Sequence, residues 1–360
     1  MNKRILLFID CLGAGGAQRQ FVGLATMLKR KGYEVKVITY YDIPFYKSQL
    51  EADNVETECV AHAQSLITRI PAICKAIYKF KPDWVVSFLD TPCVISCIAK
   101  IFSTCKFKLL VSERNTTQKL TFRERIKFFL YRFSDIIVPN AYAQGEFIVK
   151  HYANLSSKVN VIHNFVDTDH FVCKSNIEKN NVPQIITVAS IWPPKNTLGF
   201  IESVKILADQ DVKCQFHWYG KVNFAEEYLV KCEQKIKDYK LENYLILHEK
   251  TKNIKDVYSH ADFFCLPSFH EGTPNVICEA MATGLPIVCS DVCDNARYVQ
   301  TNENGLLFNP QDPHDIADKL KRVISVSRDE YKRMSKYSRQ LAEKNLSKDS
   351  FLDKYLKIFK

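Results

Sequence analysis

No stretch of the 360-residue chain approaches the ~20 apolar residues that a membrane-spanning helix needs. A secretory signal is also missing. Lys3 and Arg4 precede only Ile5–Ile9 before Asp10 interrupts, where roughly 7–15 apolar residues are required. The chain is therefore expected to be cytoplasmic, free to lie on a membrane but not to cross it. The cysteines form no Cys-x-x-Cys pair, and their odd number, 13, excludes a fully paired disulfide framework. Cys93/Cys97 and Cys289/Cys293 are each four apart, but no histidine cluster completes a zinc spacing. The cysteines read as small buried hydrophobes in a reducing compartment, and no metal site is expected. There is no low-complexity tract, no short repeat and no nucleic-acid module. At 46% hydrophobic and 25% charged residues, the composition excludes disorder, collagen-like chains and coiled coils.

What is present is unevenly charged. Residues 1–165 hold 23 Lys/Arg against 13 Asp/Glu, and residues 166–360 hold 27 of each. The whole +10 sits in the first half, which should meet something anionic.

Two alternating series of apolar strands and amphipathic helices run along the chain. The first opens with strand Arg4–Ile9, the glycine loop of Gly13, Gly15 and Gly16, helix Gln20–Lys31 and strand Glu34–Thr39. That is a βαβ unit of a parallel sheet. It continues through strands Trp84–Phe88, Lys108–Val111 and Asp135–Pro139, with helices Thr91–Phe102 and Phe122–Phe133. The second series holds strands Ile185–Ala189, Gln215–Tyr219, Tyr244–Leu247, Asp262–Leu266 and Ile287–Cys289. Helices Asn196–Ala208 and Glu226–Tyr239 and a helix from Pro274 alternate with them. The polar, aperiodic His163–Val182 reads as the linker. The expected fold class is α/β, with two Rossmann-like domains facing each other. They span 1–165 and 166–345, with 346–360 a helix packing back toward the first. Ligands of such sheets bind beyond the strands' carboxyl ends, so the cleft between domains is the expected site.

The richest segment is Leu266–Pro286. A strand ends at Pro267, a loop carries His270, Glu271 and Gly272, Thr273 is the expected N-cap and Pro274 the first helical residue. Gly284 stops that helix. A helix start so placed offers backbone N–H groups to a phosphate or a sugar hydroxyl. Glu271 precedes the helix and Glu279 lies inside it, so the two can hold two parts of one ligand. The Glu-to-Glu spacing alone is weak, and the strand, turn and helix around it give it weight.

With these pieces in place the chain resembles the family 4 retaining glycosyltransferases with the GT-B fold, of the bacterial surface-polysaccharide type. Gly15-Gly16-Ala17-Gln18-Arg19 matches their first loop, whose Gly15 and Gly16 would meet the donor. Val161-Ile162-His163-Asn164-Phe165-Val166-Asp167 matches an interdomain segment, and Ala261–Pro286 matches the donor-site signature. Ser290-Asp291 and Glu303-Asn304-Gly305-Leu306-Leu307 follow the downstream pattern. The resemblance implies sugar transfer from a UDP- or GDP-linked donor with retention and without metal or cofactor. Hexosyl or N-acetylhexosaminyl transfer is implied, to a glycan acceptor on polyprenyl diphosphate. By position, Glu279 would hold the ribose and Glu271 the donor sugar. Gly272, Thr273, Pro274 and Asn275 would meet sugar and diphosphate, and Lys195 the phosphate.

Two departures stand out. The family's usual phosphate arginine is Ser190 here, so Arg297 or Arg19 is a candidate replacement, because a metal-free site must stabilise the leaving phosphate electrostatically. Many relatives place a histidine after the strand matched by Lys108–Val111. This chain has Ser112-Glu113-Arg114-Asn115, with Glu113 and Asn115 either on the acceptor side or part of a loop-anchoring polar cluster. His163, His217 and His270 each read as structural or peripheral rather than catalytic, and His270, beside Glu271, is the best placed of them for contact with substrate. Gly220 is expected to let a nucleotide approach the backbone. Lacking the full G-x-G-x-x-G spacing, the first loop argues against a dinucleotide enzyme. A non-catalytic GT-B subunit and a nucleotide-sugar epimerase are the alternatives.

Residues 100–132 hold nine Lys/Arg against Glu113 and Glu124. Phe122, Ile126, Phe129, Leu130 and Phe133 fall on one helical face. Two readings stand for this stripe: packing into the domain core, or lying in a membrane interface. An anionic membrane surface suits the basic residues, and a peripheral place at the inner face of the cytoplasmic membrane follows.

Overall fold

The computed structural model describes all residues except 1–2, 61–64, 118, 174–176 and 223–225, and only the backbone of Leu66 and Ile67. The chain divides into two compact units. Residues up to Asn164 together with Phe351–Lys360 form unit 1, and Phe165–Ser350 form unit 2.

Unit 1 carries strands β1 (Arg4–Phe8), β2 (Glu34–Thr39), β3 (Glu56–Cys59), β4 (Trp84–Phe88), β5 (Lys108–Glu113) and β6 (Ile136–Pro139). Its helices are α1 (Gly16–Arg30), α2 (Lys47–Ala52), α3 (Leu66–Phe80), α4 (Asp90–Phe102), α5 (Phe122–Leu130) and α6 (Tyr142–His151). Unit 2 carries β7 (Gln184–Val188), β8 (Gln215–Tyr219), β9 (Leu245–His248), β10 (Phe263–Leu266), β11 (Ile287–Ser290) and β12 (Gly305–Phe308). Its helices are α7 (Thr197–Asp209), α8 (Glu226–Asp238), α9 (Ile254–His260), α10 (Asn275–Ala282), α11 (Asn295–Tyr298), α12 (Pro313–Ile324) and α13 (Arg328–Leu346). The last helix, α14 (Lys348–Phe359), begins in unit 2 and ends in unit 1.

Both sheets are six-stranded, and every ladder between their named strands is parallel. Unit 1 has the order β3-β2-β1-β4-β5-β6 and unit 2 the order β12-β11-β10-β7-β8-β9. Counted from each sheet's own first strand, the two orders are the same. Each reverses direction once, between β1 and β4 and between β7 and β10. That is the switch point at which crevices open beyond the carboxyl ends.

The central strands are apolar throughout because helices cover both faces. In unit 2, Phe216 and Trp218 point into one core with α7, α8 and α12, while Phe264 and Leu266 point into a second with α9, α10 and α13. In unit 1, Phe21 of α1 meets Phe88 of β4 at 5.3 Å, and Phe359 of α14 meets Trp84 at 5.2 Å. None of the 13 cysteines is disulfide-bonded, and most are buried.

Three expectations need correction. Part of His163–Val182 is not an open linker: Phe165, Val166 and Phe171 are buried, and Val166 N–H donates to Leu346 O. Within that stretch, residues 174–176 lie outside the described residues. The stripe of the Phe122–Phe133 segment is not core either. Phe122, Ile126, Phe129 and Phe133 are all exposed and Leu130 alone of the stripe packs partly against the core, while Lys127 and Phe128 are buried. The regular α-helix ends at Leu130 and a 3₁₀ turn, Tyr131–Phe133, completes it. The basic surface is also smaller than the count suggested, since Arg114 and Lys127 are interior.

Candidate active site

The switch point of unit 2 brings together two loops. After β7, Pro193–Lys195 form one 3₁₀ turn, and Asn196 at φ 58° steers the chain into α7. The Asn196 amide is anchored on Pro310 O at 2.7 Å. After β10, Phe269 N–H donates to Pro194 O at 3.0 Å, stitching the second loop to the first. The result is an ion pair between Lys195 Nζ and Glu271 Oε1 at 2.6 Å. Its side chains keep 23% and 10% exposure, so the pair lines the surface rather than the core.

Behind Glu271 the chain enters α10. The helix starts at Asn275, one residue later than the sequence suggested, because Pro274 at ψ 97° is extended. Pro274, which has no side-chain cap bond to give, therefore occupies the cap, and Thr273 is buried just before it. Gly272 is half-buried beside Glu271. At the other end Gly284, at φ 79°, closes the helix as expected, with its N–H on Met281 O at 2.9 Å. Glu279 projects from the second turn, 6% exposed, and accepts from the Tyr258 hydroxyl at 3.1 Å. That hydroxyl also reaches Val276 O at 3.2 Å, so α9 and α10 hold the carboxylate in one orientation.

Ser190 stands half-buried just past β7. Arg297 is exposed on α11, four residues after Cys293, whose thiol contacts the Glu271 backbone. Gly220 is packed closely against the chain itself. A Cβ there would lie 1.8 Å from Ala189 O, so the missing side chain admits the chain's own β7 end.

The remaining candidates belong to unit 1. Gly15 and Gly16 follow β1 and open α1, with Gly15 extended at φ −131°. A Cβ on Gly15 would meet Gln18 Oε1 at 2.1 Å; Gln18 folds over this loop and donates to Asp10 at 3.2 Å. Arg19 is half-buried on α1. Glu113, at the end of β5, has no exposed surface. Its carboxylate accepts from Lys127 Nζ at 2.9 Å, from Gln144 at 3.2 Å and from the Tyr131 hydroxyl. Burial pushes this carboxyl above its ordinary range, with Lys127 pulling the other way. Of the two readings for Ser112–Asn115, Glu113 fits the anchoring polar cluster, while Asn115 is exposed beyond it. Arg114 is buried, with its guanidinium on Asn164 at 2.9 Å and on the Tyr355 hydroxyl at 3.0 Å.

His163 bonds Asn140 O at 3.0 Å, His217 bonds His248, and His270 is exposed beside Glu271. Tyr258 and Cys293 were not legible as site residues. Each sits in an ordinary stretch of sequence and reaches the site only through the fold. Among the described residues no helix is long and apolar enough to cross a membrane, and no acidic, histidine or cysteine cluster could hold a metal ion.

Two family models match the chain. Glycosyltransferase Family 4 matches residues 14–170, and Glycosyl transferases group 1 matches residues 182–325. A Campylobacter jejuni α-1,4-N-acetyl-D-galactosaminyltransferase, named for a GalNAc-containing glycan on PP-undecaprenol, is 26% identical over 331 residues, 89% of each chain. A glycosyltransferase structure from Rickettsia africae superposes with a TM-score of 0.87 at 17% identity, covering 99% of this chain and 98% of that one. Anabaena Alr3699/HepE in complex with UDP and glucose gives 0.84 at 16% identity, covering 99% of both. One model falls on each sheet and the likeness of fold runs the full length, so the chain is a glycosyltransferase enzyme and belongs to family 4 of the GT-B fold.

Proposed function

We propose that this enzyme moves a hexosyl or N-acetylhexosaminyl group from a UDP- or GDP-linked donor to a glycan carried on polyprenyl diphosphate. Transfer occurs with retention, at the cytoplasmic face of a membrane, in surface-polysaccharide assembly. The Lys195–Glu271 pair at the switch point of unit 2 is the observation that carries the reading. The relative acting on a PP-undecaprenol glycan supports the acceptor class, and the neighbour holding UDP supports the donor class.

In this reading Glu279, held by Tyr258, takes the ribose hydroxyls. Glu271 takes the donor-sugar hydroxyls, and the backbone of Gly272–Asn275 meets sugar and diphosphate. An ammonium has three donors, so Lys195 keeps one on Glu271 and turns the others to phosphate. As the glycosidic bond breaks, negative charge grows on the leaving diphosphate, and a cation fixed in place stabilises it without reorganising. Arg297 supplements Lys195 where Ser190 replaces the usual arginine. The departing phosphate accepts the acceptor's proton, so no separate base is required.

The test is a panel of nucleotide-sugars screened by thermal stabilisation. A donor at 100 times its dissociation constant raises stability by about 2.7 kcal/mol. The donor so found is then incubated with polyprenyl-diphosphate glycans and the product linkage is determined. Transfer with an unchanged anomeric configuration is expected. An epimerised donor in the absence of acceptor, or binding with no turnover, would overturn the assignment.

A further inference from the structure

Helix α5 wears its apolar stripe on the outside. Phe122, Ile126, Phe129 and Phe133 are 80%, 44%, 56% and 38% exposed. At about 100° per residue Phe122, Ile126 and Phe129 fall within one narrow sector, and Phe133 follows in the 3₁₀ turn. Arg123 lies on one side of that sector, and Arg125 and Arg132 on the other; all three are exposed. The Arg132 guanidinium sits 4.9 Å from the centre of the Phe129 ring. The opposite face is sealed by Lys127, Phe128 and Tyr131, which are buried. The Glu113–Lys127 bond at 2.9 Å fixes the helix in that rotation. Glu124, the acid of the first turn, lies on the inward side, 3.8 Å from Lys127. Thr121 caps the helix by accepting from Glu124 N–H at 3.3 Å, so the surface is formed in advance.

We infer that α5 is the membrane-docking helix of this enzyme, its aromatic stripe inserting into an anionic bilayer interface between two arginine borders. The inference rests on the lipid-linked acceptor of the proposed function and names the surface that would hold the enzyme at that lipid. Phenylalanine rings flanked by cations suit the headgroup–acyl boundary of acidic lipid. Free carboxylates, which such lipid would repel, are absent from the sector. Insertion of rings makes binding only partly electrostatic, so salt should weaken it without abolishing it.

The experiment compares vesicles of phosphatidylcholine alone with vesicles containing phosphatidylglycerol, at low and high salt. The full-length enzyme should favour the anionic vesicles at low salt and retain measurable binding at high salt. Phe122→Ser with Phe129→Ser should lower the high-salt partition at least tenfold. Arg123→Glu, Arg125→Glu and Arg132→Glu together should remove the preference for anionic lipid. Single Phe122→Trp and Phe129→Trp variants should show a blue-shifted emission with vesicles. Complete release by salt, no blue shift, or equal partition of the Phe double variant would each overturn the inference. So would a stable dimer in solution that the Phe double variant breaks. Donor-induced thermal stabilisation of the same variants reads the proposed donor site, to which none of the substituted residues is assigned, so failure of docking and failure of the donor reading remain distinguishable.

Discussion

Two lysine–carboxylate pairs stand at strand ends of parallel sheets in this enzyme, and they are opposites in environment. In unit 1, Lys127 and Glu113 are 5% and 0% exposed, and Tyr131, Gln144 and Asp90 complete their shell. In unit 2, Lys195 and Glu271 are 23% and 10% exposed, open at the switch point. Residue type and strand position are shared, so neither distinguishes the two. The difference lies in how many partners the fold supplies. A buried pair with every oxygen engaged orients a helix, whereas a pair that keeps open valences can take a ligand.

The sharpest way to break the comparison is Lys127→Met. It leaves the Glu113 carboxylate buried without its cation, which costs about 3–5 kcal/mol. Thermal or urea unfolding should show that loss. The double variant Glu113→Gln with Lys127→Met should recover most of it, because replacing both members removes the uncompensated charge. An unchanged melting temperature in the single variant would sink the description of the pair as a structural lock.

The open pair should respond in the other currency. Lys195→Ala is expected to lower kcat/KM at least tenfold, since a charge-assisted bond to a developing phosphate charge is worth about 2–4 kcal/mol. Stability should move by no more than about 0.5 kcal/mol, as for ordinary surface changes. A silent Lys195→Ala beside a crippled Arg297→Ala would transfer the phosphate role to Arg297. Silence of both would remove the donor-site assignment.

Within unit 2 the same logic separates the two glutamates. Glu279 is 6% exposed and gripped by Tyr258, inside α10, whereas Glu271 precedes that helix and pairs with Lys195. Glu279→Ala should raise KM for the donor, and Glu271→Ala should lower kcat, each by roughly ten- to a hundredfold for a hydrogen bond to a charged group. Steady-state kinetics on the identified donor checks this. An identical KM effect in both variants would collapse the two into one ground-state binding role.

Much of this was legible in the sequence. The apolar strand Trp84–Phe88 announces itself because both faces are buried, Gln215–Tyr219 by the alternation of buried Phe216 and Trp218 with half-buried neighbours, and the loop from Pro267 through Gly284 carries its own punctuation. Other parts were not. Helix α3 contains Pro71, and β3 is the polar Glu56–Cys59, so neither shows the usual signal. The α5 stripe was visible, but a period does not say which way a stripe faces. Glu113 decides that, by drawing Lys127 inward, and its effect acts across 14 residues of chain. Gly220 shows the same limit: a glycine signals close approach without naming what approaches.

A third polar pair falls between the two extremes and should give the smallest effect. His217 Nδ1 and His248 Nε2 are 3.0 Å apart, His217 Nε2 meets Gln184 Oε1 at 2.9 Å, and Tyr219 stacks on His248 at 4.3 Å. Burial holds both imidazoles below their ordinary 6.5, and His248 lowers His217 further. Both are therefore neutral in the fold, while the unfolded chain takes up protons near pH 6.5. Their contribution is present above that pH and is lost as pH falls through it. One proton of difference changes stability by at most about 1.4 kcal/mol per pH unit. The melting temperature should thus fall between pH 7 and pH 5.5, and His217→Gln should flatten part of that fall. A slope unaltered by His217→Gln would assign the acid sensitivity to other groups and leave the histidine pair outside the comparison.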